Sequence, residues 1–231
     1  MNQITSQLTI RLGINEPCDF KNYHAGANAE IVGSLKELTL RDGFAGIWLW
    51  GEAGTGRSHL LQAVCREADV HSQSSVYLPL SLIDPDPMTL DGLSADIIVV
   101  DDIHNWLNDP ALEAVLVGLY QGQMSTGGRL LISAPAPAGG LEFALPDLAS
   151  RMRALASYRI TKLDDEGLTL VLRRAARLKG LQLEQSVIDF WLARTTRALP
   201  KLLEQLNQLD DMALSTQRRI TIPLLKDVLR L

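Results

Sequence analysis

Short apolar runs alternate, over the first two thirds of the chain, with stretches whose apolar residues recur at helical spacing. The run at 97–100 is continuous, which is typical of a parallel strand covered on both faces. This alternation predicts an α/β fold: a parallel five-stranded sheet with flanking helices. The predicted strands are 47–50, 76–78, 97–100, 130–132 and 158–160. The predicted helices are 27–39 with Asn28 as its N-cap, 59–68, one that begins at Asp109-Pro110, and a short helix or turn at 145–153.

From residue 163 onward the pattern predicts helices alone. The acids at 164–166 suit the N-terminus of a helix, and Gly180 is a typical stop. Further helices are predicted at 187–193, 199–214 and 222–231. We therefore expect a tail at 1–16, an α/β domain at 17–163 and a small all-helical domain at 164–231.

A glycine-rich loop at 51–58 follows the first predicted strand and precedes a helix. Such a loop turns backbone N–H groups inward, and the helix N-terminus adds positive potential, so the concavity binds phosphate. The spacing matches the pattern G-x-x-x-x-G-K-[ST], except that Arg57 replaces the lysine. The alternative is a plain turn that joins a strand to a helix. The loop residues expected to contact a nucleotide are Gly51, Gly54, Thr55, Gly56, Arg57, Ser58 and His59.

The arginine changes the expected chemistry of this loop. A guanidinium is longer than an ammonium, planar and geometrically fixed, so Arg57 need not reach the β- and γ-phosphates as lysine would. We therefore expect this pocket to bind a nucleotide without hydrolysing it efficiently.

Two acids, Asp101 and Asp102, end the third predicted strand. The carboxyl ends of parallel strands are where such sheets place ligands. Asp101 could hold Mg²⁺ through water beside Ser58, and Asp102 could orient an attacking water. The alternative is that the pair caps a loop or a helix.

Leu8, Ile10 and Leu12 alternate within the tail, which gives an extended segment one apolar side. Spacing alone leaves two interpretations open. One is an edge strand or a disordered end, and the other is a short linear peptide that docks in a groove on a partner.

Composition restricts the setting and the partners. No apolar stretch approaches the roughly 20 residues of a membrane span, and the N-terminus lacks the layout of a secretory signal. Cys18 and Cys65 stand in no metal or redox spacing, and the histidines are scattered, so a reducing cytoplasm is the simplest setting. The net charge of −5 predicts that the protein reaches nucleic acid, if at all, through another protein.

An α/β nucleotide domain followed by a small helical lid resembles the AAA+ ATPases. Within them, residues 20–23 with Gly26 and Asn28 resemble the segment over the adenine in the replication initiator DnaA, and 145–151 resembles its arginine-finger segment. DnaA continues into a DNA-binding helix-turn-helix domain, whereas this sequence ends after the lid. That ending, Arg57 and the segments 7–12 and 213–223 together resemble the Hda family of DnaA regulatory inactivators.

The resemblance implies a negative regulator of DNA replication initiation. Hda-like proteins bind ADP, dock on the polymerase sliding clamp through the N-terminal peptide and stimulate hydrolysis of DnaA-bound ATP. Carried over to this chain, Arg151 is the arginine finger that acts in trans, Arg153 is its nearby alternative, and Asn22 and Tyr23 lie near the adenine. The implied clamp-binding residues are Gln7, Leu8, Ile10 and Leu12, with Thr9 and Arg11 between them. The implied partners are the clamp, DnaA and further copies of the chain, as a homodimer or higher homo-oligomer, with DNA reached only through the clamp.

Two departures from the wider AAA+ pattern weaken the case for an ATPase. Pro135 stands where a polar residue usually reads the γ-phosphate, and Pro200 stands where the lid usually supplies an arginine. Proline has no side-chain donor for either role. Two other functions stay open: a self-contained ATPase such as a helicase loader, and a DNA-binding initiator fragment.

Overall fold

The computed structural model describes residues 18–90, 92–216 and 219–230. The chain divides into two compact units. Residues 18–162 form one, called here the α/β unit, and the described residues from 163 onward belong to the other, the helical unit. The clamp-binding peptide predicted at 7–12 lies outside the described residues.

The α/β unit contains a five-stranded parallel sheet, as predicted. Its strands are β1 (Ala45–Trp50), β2 (Ser75–Pro79), β3 (Ile97–Asp101), β4 (Arg129–Ala134) and β5 (Ala156–Arg159). Their spatial order is β2-β3-β4-β1-β5. Because β1 lies between β4 and β5, the glycine loop that follows β1 emerges from the interior of the sheet rather than from an edge.

The helices of this unit are α1 (Ala29–Leu40), α2 (Arg57–Val70), α3 (Pro110–Thr126) and α4 (Pro146–Ala154). Short 3-10 turns occupy Gly26–Asn28, Pro87–Leu90, Ile103–Trp106 and Ala138–Gly140. The predicted start of α3 is confirmed: Asp109 accepts hydrogen bonds from the backbone of Ala111 and Leu112, and Pro110 occupies the first turn.

Two apolar layers cover the two faces of the sheet. Residues of α1 and α2, such as Leu35 and Leu61, pack with Leu131 of β4. Residues of α3 and α4 pack with Ile132, the next residue of the same strand. Successive strand side chains point to opposite faces, so β3 and β4 are buried on both, and their residues 97–100 and 130–132 form continuous apolar runs.

The helical unit consists of α5 (Asp165–Leu178), α6 (Gln185–Arg194), α7 (Leu199–Thr216) and α8 (Ile222–Leu229). Its core is formed around Trp191, Leu172 and Leu202. Asp164 accepts a hydrogen bond from the Gly167 N–H and caps α5, as the acidic start predicted. No helix within the described ranges has the length and apolar character that crossing a membrane requires.

Candidate nucleotide site

The glycine loop has the predicted strand–loop–helix geometry, with β1 before it and α2 beginning at Arg57. Gly54 and Gly56 adopt φ values of +79° and +94°, which L-residues with a Cβ rarely adopt. A Cβ on Gly51 would lie 2.6 Å from the Ile160 carbonyl oxygen, and one on Gly56 would lie 2.8 Å from the Tyr23 ring. The loop can therefore keep this shape only with glycine at these positions, and it presents the N-terminus of α2 to the concavity.

The Arg57 side chain is directed to the backbone at the carboxyl edge of the sheet. Its Nη1 donates to the carbonyl oxygens of Gly51 and, at 2.9 Å, Ala134. Its Nη2 donates to Asp102 Oδ1 at 2.9 Å. One guanidinium thus joins the residues that follow β1 and β3 to the last residue of β4. The positive charge of Arg57 is therefore bonded to the protein itself, whereas a lysine at this position of a phosphate loop would contact the nucleotide.

Asp101, predicted to hold Mg²⁺, is only 3% exposed. Its Oδ2 accepts a hydrogen bond from the Tyr77 hydroxyl at 2.6 Å, and its Oδ1 accepts one from Ser133 Oγ. Burial, followed by the negative charge of Asp101, raises the pKa of Tyr77 well above its ordinary value, so the hydroxyl keeps its proton and donates.

A tyrosine stands beside the residues predicted for magnesium. Ser58 lies close enough to the Tyr77 hydroxyl to act on its pKa, which it lowers against the stronger effects of burial and Asp101. Both carboxylate oxygens of Asp101 already accept a hydrogen bond and the residue is buried, so little of the carboxylate is open to a magnesium-bound water. The donor set therefore fits magnesium poorly in this arrangement.

Asp102, predicted to orient an attacking water, has its Oδ1 paired with Arg57. Its backbone has φ +56°, and its N–H donates to Ser133 Oγ at 2.8 Å. Burial, then the nearby charge of Asp101, raises the pKa of Asp102 even though Arg57 acts in the opposite direction.

The segment predicted to cover the adenine packs on the glycine loop. The Tyr23 hydroxyl donates to the Thr55 carbonyl at 3.4 Å, and its ring lies 5.5 Å from the ring of His59. Burial raises the pKa of Tyr23 to about 12. The Asn22 N–H donates to Asp19 Oδ1 at 2.7 Å, and His59 Nε2 lies 2.9 Å from the Asp19 carbonyl oxygen.

The prediction that Asn28 is the N-cap residue of α1 is confirmed for its position, although the Asn28 side chain makes no capping bond. Its Oδ1 instead accepts from the Thr161 N–H at 2.9 Å, and its Nδ2 donates to the Thr161 carbonyl and the Tyr23 hydroxyl. Asn28 therefore fastens the adenine-side segment to the chain that leaves β5.

Arg151 lies on α4, where two contacts orient its side chain. Its Nε donates to Asp147 Oδ2 at 2.9 Å, and its guanidinium carbon lies 5.1 Å from the centre of the Tyr120 ring on α3. Arg153, the alternative finger, is exposed. The two prolines at the predicted sensor positions lie in different units. Pro135 is exposed just after β4, and Pro200 lies in the first turn of α7.

Sequence reasoning missed Glu113, which is fully buried at the start of α3. Its Oε1 accepts from the N–H groups of Asn108 and Ala144 at 2.8 Å, and its Oε2 accepts from the Leu145 N–H at 2.7 Å. Leu145 is the residue before α4, so Glu113 fixes where the arginine-bearing helix begins. The sequence did contain a signal. Glu113, Leu116 and Tyr120 recur at helical spacing, so they lie on the same face of α3, which is buried.

Residues 164–229 match the family model described as Hda, lid domain, which covers the helical unit. Among solved structures, domain III of Thermotoga maritima DnaA shares the fold with a TM-score of 0.78 and 17% identity, over 94% of this chain and 97% of that one. AMPPCP-bound DnaA from Aquifex aeolicus matches with a TM-score of 0.67 and 18% identity, over 89% and 69% of the two chains. The Thermotoga maritima RuvB branch migration motor matches at 0.70 and 18%, over 93% and 72%.

These similarities confirm the predicted fold, because domain III of DnaA shares it over almost the whole of both chains. The match to the Hda lid-domain model extends over the helical unit alone.

Proposed function

We propose that this chain, which joins a DnaA-like AAA+ fold to an Hda-type lid, is a negative regulator of replication initiation. It holds ADP at the glycine loop and docks on the polymerase sliding clamp through residues 7–12. Arg151 then promotes hydrolysis of the ATP that DnaA holds. The observation that carries the proposal is the pairing of Arg57 with Asp102, because it engages a cation and an acid that hydrolysis in the chain's own pocket would need.

The closed hydrogen-bond network favours retention of a nucleotide over its turnover. Phosphate binding uses backbone N–H groups at the N-terminus of α2, and the Arg57 side chain does not compete for them, because it donates to carbonyl and carboxylate oxygens. Hydrolysis needs groups that stabilise the transferring phosphoryl and orient water. In this chain Asp101 is bonded to Tyr77 and Ser133, while Asp102 is bonded to Arg57.

Arg151 is the residue that would enter the ATP site of DnaA. A guanidinium placed beside a γ-phosphate neutralises charge that develops in the transition state, and such fingers act across subunit contacts. Asp147 and Tyr120 hold the Arg151 side chain in one direction along α4, which lowers the entropy lost when it enters a second active site. Asp147 is 56% exposed, so solvent screens its ion pair with Arg151 and leaves the pair weak enough to exchange for a phosphate.

The clamp supplies the proposed link to DNA. A net charge of −5 argues against tight binding of DNA by this chain alone. The alternating Leu8, Ile10 and Leu12 supply the apolar side that docking in a groove requires. The acidic balance and the apolar side of the tail therefore favour a clamp-dependent regulator over an independent DNA-binding fragment.

One preparation can test each part of the proposal. Bound nucleotide, clamp binding and phosphate release by DnaA on clamp-loaded DNA are measured for the wild type, Arg151→Ala and the matched control Arg153→Ala. We expect Arg151→Ala to keep nucleotide and clamp but to lose about 10³-fold or more of the stimulation, the scale of arginine fingers, while Arg153→Ala keeps it.

Other outcomes would favour other functions. Unchanged stimulation by Arg151→Ala would refute the finger. Steady ATP turnover by the purified chain, lost in Arg57→Ala, would instead support a self-contained ATPase. Replacement of Gln7 and Leu8 by alanine should abolish clamp binding without changing the melting temperature, and retained binding would exclude this peptide.

A further inference from the structure

The outward face of α5 in the helical unit carries a stripe of basic and apolar side chains, called here the basic stripe. It lies on the side of the helix opposite Leu168 and Leu172, which the core of the unit buries. Its members recur at helical spacing and are all exposed: Leu170, Arg173, Arg177 and Leu178. Leu170 is 47% exposed and Leu178 is 56% exposed, so the stripe offers apolar surface as well as charge.

The two arginines of the basic stripe keep their positive charge at the surface. Arg173 Nη2 donates to the neutral side chain of Gln185, whose Oε1 lies 2.7 Å away. Gln185 in turn donates to Asp189 Oδ1 at 2.6 Å, so this acid does not contact the guanidinium through that bond. Arg177 forms no ion pair with the residues that the structure describes. The stripe is therefore a local cationic surface in a chain whose net charge is −5.

A groove of opposite charge lies between α7 and α8 of the same unit and is called here the acidic groove. Its volume is about 690 Å³, and its lining residues are Gln208, Asp211, Met212, Asp227, Val228 and Arg230. Met212 is 42% exposed and Val228 is half-buried, so the groove also offers apolar surface. Two carboxylates against one guanidinium leave its charge negative.

The carboxylates of the acidic groove are open to a cation from outside. Asp211 and Asp227 are exposed, and neither forms an ion pair within the described part of the chain. Asp210, the neighbouring acid on α7, differs because it is paired with Lys179 at 3.0 Å inside the unit. The groove therefore keeps two acceptors of the kind that arginine binds best.

The basic stripe and the acidic groove are complementary in shape class and in charge. A helix that docks in a groove does so with side chains at i, i+3, i+4 and i+7, and the stripe has this spacing. Its arginines can pair with Asp211 and Asp227, while their aliphatic stems cover apolar surface. Methionine is the apolar side chain that adapts most readily to an incoming surface, and Met212 supplies it.

A single copy cannot bring the two surfaces together. Leu168 and Leu172 of α5 pack in one core with Leu202 and Leu206 of α7. Because the basic stripe lies on the opposite side of α5, it points away from α7 and from the groove that α7 lines. Another copy of the chain can present the stripe to the groove.

We propose that the basic stripe of one copy of this chain binds the acidic groove of a second copy. The two surfaces differ, so the contact is heterologous, unless two copies exchange it reciprocally about a two-fold axis. It gives a defined surface to the homo-oligomer that the family resemblance implied. It uses neither the glycine loop nor Arg151, so it can fail while the proposed function stands, and the reverse also holds.

Charge reversal on each surface, first alone and then mixed, isolates this contact. The stripe variant carries Arg173→Glu and Arg177→Glu, and the groove variant carries Asp211→Lys and Asp227→Lys. Sedimentation of the full chain in excess ADP follows the average mass as concentration rises. We expect the wild type to self-associate and each variant alone to do so about tenfold or more weakly, because like charges then face each other. An equimolar mixture of the two variants should regain wild-type association, since opposite charges face each other again.

The matched control carries Arg41→Glu and Lys201→Glu, which change the net charge as the stripe variant does but lie outside both surfaces. It should associate as the wild type does. All of the substituted side chains are exposed, and an unchanged melting temperature checks that each variant folds. Association of the wild type should also weaken between about 50 mM and about 500 mM NaCl, because salt screens surface charges.

Several results would overturn the proposal. These are a wild type that stays monomeric, association that does not respond to salt, variants that associate as the wild type does, and a mixture that does not recover. The alternative occupant of the basic stripe is nucleic acid. Binding of a fluorescent single-stranded oligonucleotide by the wild type, lost in the stripe variant and unaccompanied by self-association, would assign the arginines to nucleic acid instead. The salt dependence of the wild type remains decisive even if a variant fails to fold.

Discussion

Nη2 of Arg57 lies 2.9 Å from Oδ1 of Asp102, which joins the first residue of α2 to the residue that follows β3. Both side chains are largely shielded from solvent, so each would be poorly solvated without the other. The pair explains how a phosphate loop can carry arginine in place of lysine and remain ordered: the charge is satisfied within the protein.

A double-mutant cycle measures this pair directly. We expect Arg57→Ala, Asp102→Ala and the double variant to show a coupling energy of about 1–2 kcal/mol in urea unfolding, since the two groups are in contact and shielded. The exposed pair Arg197 and Asp165 is a matched control, and its coupling should be smaller because solvent screens it. Equal couplings for the two pairs would contradict the structural role given to Arg57.

The raised pKa of Asp102 predicts a pH dependence with a definite sign. Burial and the nearby Asp101 favour the protonated carboxyl in the folded state. Its contribution to stability is therefore present at low pH and is lost as pH rises through the folded pKa. We expect the unfolding free energy of the wild type, minus that of Asp102→Asn, to increase as pH is lowered from about 7 to about 4. A constant difference across this range would show that Asp102 titrates as an ordinary carboxyl.

Gly56→Ala should damage the nucleotide site. At φ +94° a Cβ is strained, and it would lie 2.8 Å from the Tyr23 ring. We expect a loss of about 1–3 kcal/mol and weaker ADP binding, measured by thermal unfolding and by calorimetry. The control is Gly118→Ala, on the exposed side of α3 with open space around it, which should stabilise the chain by up to about 1 kcal/mol. Normal ADP binding by Gly56→Ala would show that the loop tolerates another shape.

Glu113→Gln tests whether α3 positions α4. The amide can present only one acceptor oxygen to three backbone N–H groups, and its own NH₂ opposes a donor. We expect a loss of about 2–3 kcal/mol in urea unfolding, because the bonds are made to a buried charge. The nearby exposed Glu142→Gln should change stability by less than about 0.5 kcal/mol. If both variants unfold alike, Glu113 does not hold the segment before α4.

The order of elements was readable from sequence because it depends on local patterns. Continuous apolar runs identified the strands, Asp109-Pro110 identified the start of α3, and the glycine spacing identified the loop. Each of these signals lies within a few neighbouring residues, where periodicity, capping and φ preference act. The pattern also placed Asp101 and Asp102 at the carboxyl end of a buried strand, as the structure has them.

Only the tertiary structure decided which groups meet. The sequence predicted Arg57 near phosphates and Asp101 near magnesium. In the folded chain, strand order places Asp102 against Arg57. It also places Tyr77 and Ser133 against Asp101. Likewise, the Asn28 side chain accepts a hydrogen bond from Thr161, far along the chain, and not from the N-terminus of the helix beside it. Buried polar groups take the partners that packing puts nearest, and packing joins residues that no local pattern relates.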